Sequence, residues 1–244
     1  MKLSRRTRSR IRKVWPIAGI GVLAVATVAV IGAALTPTPA PTSTFTPAPL
    51  PERTYAAGPV TAAFLGDSYT AGNGASPMSE GRWSALVSSE LGWKEKNFGS
   101  GGTTYATGSE ITGGKGYTER VRNVIAAAPY VVIVSGGGNS YTIDQSQGIT
   151  QVFTELRAGL PEAKLVALSP FWWEEAFPAQ LNVVSGQIKA GVESVGGTYV
   201  ELAHPLAGSL HFLAKDGVHP NNEGHKFLAA KIVQALPNPI IPKI

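Results

Sequence analysis

The 244-residue chain contains no cysteine. Disulfide bonds, thiol catalysis and thiolate metal sites are therefore excluded. A domain without disulfides must be stable through its hydrophobic core, and 43% hydrophobic residues supply enough apolar material for one. The metalloprotease pattern HExxH is absent as well, and no histidine cluster replaces it, so the sequence predicts neither a metal nor another cofactor.

Acidic residues are missing from positions 1–13, which hold seven of the 21 basic residues. The rest of the chain carries 14 basic against 16 acidic residues, a net charge of −2. A pI near 9.5 is typical of nucleic-acid-binding proteins. Here the excess positive charge belongs to the tail, so the remainder shows no electrostatic case for binding nucleic acid.

Charged residues are also missing from positions 14–35, an apolar run of 22 residues. That length spans a bilayer as a helix, and the basic flank before it predicts a cytoplasmic N-terminus and an exported body. We expect residues 1–13 to be a cytoplasmic tail and residues 14–35 a single-pass signal anchor. A cleaved signal peptide is the alternative, because small residues at Ala33 and Ala34 suit cleavage, and the body would then be secreted.

Residues 36–54 begin with a tract of proline, threonine and alanine that cannot build a packed core, so we interpret them as an extended linker. The remaining residues, 55–244, show no internal repeat and no second linker. They are predicted to form one domain, which we expect to be monomeric.

Within this domain, short apolar runs alternate with longer segments of helical character. Strands are predicted at residues 60–65, 96–98, 130–135, 164–169 and 198–201. Helices are predicted at residues 81–91, 118–127, 149–159, 179–195 and 223–236. The alternation indicates an α/β fold, a three-layer α/β/α sandwich around a parallel sheet.

Ligands of such a sheet bind outside the carboxyl ends of its strands. Polar or glycine-rich segments follow the first three predicted strands, at 67–68, 99–104 and 136–139, and an aromatic segment follows the fourth, at 170–173. Asp216 and His219 lie between the last strand and the last helix. With Ser68 they form the minimum set for serine-based acyl transfer: a nucleophile, a general base and a group that orients the base.

Four sequence blocks carry a family resemblance. They read GDSYTAGNG at 66–74, NFGSGGTT at 97–104, GGGNS at 136–140 and DGVHPNNEGH at 216–225. In these blocks and in their order, the chain resembles the SGNH/GDSL-type serine hydrolases, a family of esterases and lipases. The resemblance covers most of the body, leaves residues 1–55 outside, and implies a flavodoxin-like parallel sheet.

Ser68 is the expected nucleophile, although a serine after a strand is commonly only the cap of the next helix. His219 is the expected base, since it has an acid, Asp216, three residues upstream to hold its ring. The other histidines lack this pattern: His204, His211 and His225. Asp67 adjoins Ser68, but adjacent side chains point in different directions, and we expect it to brace the loop.

The resemblance also assigns three donors to the oxyanion of the tetrahedral intermediate. They are the Ser68 backbone N–H, the backbone N–H of Gly102 and the side-chain amide of Asn139. The clustered glycines leave Gly101 as an alternative to Gly102. One departure from the family pattern is Ser140, which stands where the family commonly has an aspartate.

Two tryptophans after the fourth predicted strand, Trp172 and Trp173, together with Phe171, suit an acyl or sugar pocket. Aromatic clusters more often serve packing, and that alternative stays open.

These observations predict an extracytoplasmic serine esterase that hydrolyses acyl or acetyl esters through an acyl-serine intermediate. Its expected substrate is a lipid, a small ester or an acylated glycan, and its membrane contact is the N-terminal segment. Two alternatives are an envelope acyltransferase with the same triad and, because of Ser140, a non-catalytic glycan-binding domain of the same fold.

Overall fold

The sheet at the centre of the molecule has five parallel strands. The structure, a computed structural model, describes residues 59–237. The strands are β1 (Thr61–Gly66), β2 (Lys94–Gly99), β3 (Val131–Val134), β4 (Lys164–Leu168) and β5 (Thr198–Val200). Every residue of β3 is buried, as its run of β-branched side chains predicts for a central strand.

The helices of residues 59–237 connect these strands. They are α1 (Ser68–Ala71), α2 (Met78–Gly81), α3 (Trp83–Glu90), α4 (Tyr117–Ala126), α5 (Ser146–Gly159), α6 (Ala179–Ser194) and α7 (Asn222–Ala235), with a 3-10 turn at Leu210–Phe212. All predicted strands and helices are present, with shifted ends. The helix predicted from residue 81 begins only at Trp83, because extended backbone at Arg82 separates it from α2.

The predicted tail, membrane segment and linker, residues 1–54, lie outside the described residues. Within residues 59–237, no helix combines the length and apolar character needed to cross a membrane.

The strand order is β2-β1-β3-β4-β5, and every neighbouring pair is parallel. This is the flavodoxin-like order, and it confirms the predicted fold. The chain moves from β1 to one side for β2 and to the other side for β3. The direction of winding therefore reverses at β1, and a crevice opens between the carboxyl ends of β1 and β3.

Side chains of alternate strand residues enter two cores, one on each face of the sheet. In β1, Ala63 and Leu65 pack with α4, α5 and α6, whereas Ala62 and Phe64 pack with α3 and α7. Apolar helix faces cover both sides of the sheet, which produces the three layers.

Glycines let α1 lie directly on the ends of β1 and β2. A Cβ atom on Gly99 would stand 2.2 Å from the backbone nitrogen of Ala71, and one on Gly66 would stand 2.1 Å from Oγ1 of Thr70. The Asn97 side chain fastens the contact by donating to the Thr70 carbonyl at 2.7 Å. The segment that follows β1 is therefore held rigidly against the sheet.

His225 ties α7 to segments that lie early in the sequence of the domain. Its ring is fully buried, Nδ1 accepts from the Trp83 backbone N–H at 3.2 Å, and Nε2 lies 3.0 Å from the Asn73 carbonyl. Because a backbone N–H can only donate, Nδ1 is the acceptor and the proton sits on Nε2, so the ring is neutral. Burial lowers the pKa of His225 from its ordinary value of 6.5.

This lowered pKa makes stability depend on pH. Above pH 6.5 the imidazole of His225 is neutral in both the folded and the unfolded protein. As the pH falls below 6.5, the unfolded chain binds a proton at His225 before the folded protein does. The free energy of unfolding therefore falls with decreasing pH, by at most about 1.4 kcal/mol per pH unit from this group. Urea unfolding of wild type and His225→Gln between pH 5 and 8 measures this pH dependence of the free energy of unfolding.

The difference between wild type and His225→Gln should shrink as the pH falls below about 6.5. Comparing the two proteins at each pH cancels the contributions that carboxylates and the other histidines make to the free energy of unfolding. A difference that stays constant over this range would contradict the neutral buried imidazole.

Candidate active site

Ser68 is the first residue of α1, directly beyond β1. Asp67 caps the helix, since its Oδ1 accepts from the Tyr69 backbone N–H at 3.0 Å, the bracing expected of this side chain. The helix ends after four residues at Gly72, whose φ of 99° lies in the left-handed region. The turn holds Ser68 at the crevice between β1 and β3.

Ser68 lines a cavity of about 250 Å³. Most of the residues predicted for the site share its wall. The lining residues are Asp67, Ser68, Tyr69, Asn73, Gly101, Gly102, Thr112, Gly138, Asn139, Phe171, Trp173, Val218 and His219. The topology thus gathers side chains from the carboxyl ends of β1, β2, β3 and β4 with those of the loop before α7.

Asp216 fixes the orientation of His219. Its Oδ1 accepts from the backbone N–H groups of Val218 and His219 at 3.0 and 2.9 Å, and its Oδ2 lies 2.7 Å from His219 Nδ1. Partial burial raises the pKa of Asp216, but the hydrogen bonds from His219 and Val218 outweigh it and lower the pKa to about 2. The carboxylate is therefore ionised and accepts the Nδ1 proton, which leaves Nε2 as the basic nitrogen.

Ser68 and His219 both line the cavity. Within residues 59–237, no direct hydrogen bond joins the two side chains. Such hydrogen bonds are often long in enzymes without substrate and shorten in the complex. The arrangement therefore suits a nucleophile and a base that substrate brings together.

Tyr69 connects the serine segment to the histidine segment. Its hydroxyl donates to the Val218 carbonyl at 2.6 Å, and its ring centroid lies 5.8 Å from that of His219. Burial raises the pKa of Tyr69, so the hydroxyl keeps its proton and remains a donor. Sequence reasoning missed this residue because the contact joins positions 149 residues apart.

The glycine-rich loop after β2 faces Ser68. A Cβ atom on Gly101 would stand 3.8 Å from the Ser68 Cβ, and Gly102 has a φ of 70° that favours glycine. Both glycines line the cavity, so both predicted alternatives place a backbone N–H in the loop beside Ser68.

Asn139 follows β3 on the other side of the crevice. Its Nδ2 donates to the Thr103 carbonyl at 3.1 Å, so one amide hydrogen is fixed by the glycine-rich loop. An amide nitrogen carries two hydrogens, and the second remains for a ligand in the cavity.

Arg120 is a buried residue of the site region that the sequence analysis missed; only 8% of its surface is exposed. Its guanidinium donates to the carbonyls of Gly66 and Lys115 at 3.0 and 2.7 Å and to Thr103 Oγ1 at 2.9 Å. A further hydrogen bond goes to the Phe98 carbonyl. The signal was its place on the apolar face of α4, among buried residues three or four positions apart.

Burial raises the pKa of Asp67 to about 6, against the lowering effects of the Tyr69 N–H and the charges of His219 and Arg120. A carboxyl group with a raised pKa thus lies beside Ser68.

The two tryptophans occupy different environments. Trp173 lines the cavity together with Phe171. Trp172 is 5% exposed and packs in the core, with its ring 5.4 Å from that of Tyr141 and its Nε1 donating to the Ala176 carbonyl. The substrate-binding prediction therefore stays open for Trp173, whereas Trp172 is a packing residue.

The other histidines lie away from the cavity lining. His204 stacks on Phe177 with ring centroids 3.5 Å apart, and His211 contacts Phe212. Across residues 59–237, no three histidine or carboxylate side chains lie close enough to hold a metal ion.

Comparisons with known proteins agree with this geometry. The sequence profile of the GDSL-like lipase/acylhydrolase family matches residues 64–227. A GDSL lipase from Mycobacterium tuberculosis is 23% identical over 181 residues, covering 70% of this chain and 78% of that protein.

Solved structures share the fold. A carbohydrate acetylesterase from Sinorhizobium meliloti has a TM-score of 0.56 at 17% identity, covering 72% of this chain and 97% of its own. An acetylxylan esterase from Geobacillus stearothermophilus has a TM-score of 0.54 at 20% identity, and the match covers 76% of this chain and 97% of the esterase. Because the family profile spans more than half of the sequence and includes the Ser68, Asn139 and His219 segments, the chain belongs to the GDSL-like lipase/acylhydrolase family.

Proposed function

We propose that this serine ester hydrolase cleaves short acyl esters of polar alcohols, outside the cytoplasm, through an acyl-Ser68 intermediate. The observation that carries the proposal is one shared cavity wall. Ser68 and Asn139 lie on it with His219, whose ring is hydrogen-bonded to Asp216.

In the proposed reaction, Ser68 Oγ attacks the ester carbonyl carbon while His219 Nε2 takes the hydroxyl proton. Asp216 stabilises the resulting imidazolium. His219 then gives the proton to the departing alcohol, and the acyl group remains on Ser68. Water, deprotonated by the same histidine, attacks the acyl-enzyme and releases the carboxylic acid and free Ser68.

The tetrahedral intermediates carry a negative oxygen. Its proposed donors are the backbone N–H of Ser68, the backbone N–H of Gly102 or Gly101, and the free hydrogen of the Asn139 amide. Removing one such donor costs about 3–4 kcal/mol of transition-state stabilisation in serine hydrolases.

The volume of the cavity favours a small acyl group. About 250 Å³ is below the usual range of pockets that enclose drug-sized ligands. Its wall includes the polar side chains of Asn73 and Thr112 and the indole of Trp173. Two structural relatives are named as carbohydrate esterases, which supports acetylated carbohydrate as the substrate to test first.

The proposed location rests on the sequence of residues 1–35, with its basic flank and its 22-residue apolar run. Protease treatment of intact cells should remove the domain from a membrane-anchored protein. Full protection of a folded, membrane-bound protein would contradict an extracytoplasmic domain.

Substituting the proposed nucleophile or base should abolish turnover. We expect Ser68→Ala and His219→Ala each to lower kcat for an acetyl aryl ester about 10⁴-fold, because both groups act in the same step. Ser68→Ala should also lose labelling by a fluorophosphonate probe. Initial rates with soluble protein of residues 55–244, together with its circular dichroism spectrum, measure both effects.

His211→Ala is the matched control, since that exposed ring lies outside the cavity lining. The folded fraction of His225→Ala should also keep most activity. Equal losses in all histidine variants would overturn the assignment of His219. A wild-type domain that neither turns over esters nor reacts with the probe would instead favour a glycan-binding role, and preferential transfer to an added alcohol would favour an acyltransferase.

Tyr69→Phe should lower kcat/KM about fivefold and the melting temperature by no more than a few degrees. The variant keeps the ring and removes only the hydroxyl that holds the Val218 carbonyl beside His219; a neutral hydrogen bond contributes about 1 kcal/mol. Tyr141→Phe is the control, because its hydroxyl makes no protein hydrogen bond in the described region. Equal kcat/KM values for the two variants would show that the tether does not position the base.

A further inference from the structure

Gln145 has a polar side chain buried between the loops that follow β2 and β3. It precedes α5, and only 1% of its surface is exposed. Nε2 donates to the backbone carbonyls of Gly137 and Asn139 at 3.4 and 3.3 Å. Oε1 accepts from the Tyr105 backbone N–H at 3.4 Å. One amide thus contacts three main-chain groups in two loops, two of them buried and that of Asn139 half-buried.

The base of this side chain is itself fixed. The Gln145 carbonyl accepts from the Ile149 N–H at 2.9 Å in the first turn of α5. A Cβ atom on Gly148 would stand 2.8 Å from the backbone of Ala106, so the turn packs directly against the residue after Tyr105. The amide is therefore presented from a rigid platform.

Ser140 does not supply this support. It stands where relatives of the resembled family commonly have an aspartate, it is exposed, and its φ is 50°. Its hydroxyl makes no hydrogen bond with any other described residue. Within the described structure, the loop carrying Asn139 is held by Gln145 on its backbone and by the Thr103 carbonyl on the Asn139 side chain.

We propose that Gln145 is a positioning residue for catalysis: it sets the Asn139 amide against the glycine-rich loop so that its free hydrogen meets the oxyanion. The inference rests on the proposed function of Asn139. Since the oxyanion exists only in the transition state and intermediate, misplacing the donor lowers kcat and leaves KM nearly unchanged.

The test is a double-substitution cycle on acetyl aryl ester hydrolysis. Gln145→Met keeps the length and removes every hydrogen bond, and we expect kcat about 10- to 100-fold lower with KM within about twofold. In an Asn139→Ala background the same change should cost less than about threefold, because its target is gone. Gln147→Met, on an exposed residue in the first turn of α5, is the control and should change neither constant.

Gln145→Glu covers the case in which the methionine variant does not fold. When ionised, the introduced carboxylate keeps the acceptor for Tyr105 and has no donor for Gly137 and Asn139. Because burial raises the pKa of a carboxyl group, the same loss of kcat is expected at a pH high enough to ionise it. An equal loss of kcat with and without Asn139, or a loss confined to KM, would overturn the positioning role.

Nuclear magnetic resonance gives a readout that does not need turnover. In the wild-type domain, the Gln145 side-chain amide hydrogens should exchange slowly with water, and the Asn139 amide signals should shift in folded Gln145→Met or Gln145→Glu. Fast exchange in the wild type, or unshifted Asn139 signals, would overturn the inference. A wild type without esterase activity but with both spectroscopic effects would overturn only the proposed function.

Discussion

The buried guanidinium of Arg120 is the interaction on which the geometry of the site depends. A cation out of water is tolerated only when its N–H groups are hydrogen-bonded. Here the acceptors include the main-chain oxygens of Gly66 and Phe98, at the carboxyl ends of β1 and β2, and the Thr103 hydroxyl. No carboxylate forms an ion pair with Arg120 among the described residues, so satisfying this cation requires the two strand ends and the glycine-rich loop to keep their spacing.

The topology of the sheet explains why a cavity lies beside these strand ends. Winding reverses at β1, so the loops after β1 and β3 part and leave a crevice between them. Ser68 stands on one side and Asn139 on the other. The cap by Asp67 and the glycines under α1 hold the first side, and Asn139 reaches across to Thr103. The segment after β1 therefore holds Ser68 against the sheet, whereas Asn139 and His219 reach the cavity from loops.

Much of the fold and several residues of the candidate site could be predicted from the sequence, because they depend on residues that are neighbours in the chain. The buried strand β3 and the Asp216–His219 spacing are encoded by neighbouring residues, and four ordered blocks implied the family. Long-range contacts were not predictable in this way. Nothing adjacent to Arg120 or Tyr69 signals a partner that the fold brings from another element. The different environments of Trp172 and Trp173 were not predictable either: their ring centroids lie only 4.4 Å apart, yet Trp172 is buried in the core and Trp173 lines the cavity.

The tether between Tyr69 and Val218 joins positions 149 residues apart. A contact between distant positions closes a large loop, and a larger loop costs more conformational entropy to close. While the last third of the domain is still being synthesised, the chain contains Ser68, the proposed nucleophile, and lacks His219, the proposed base. The cavity that both residues line is therefore complete only after the segment around His219 has been synthesised and has folded.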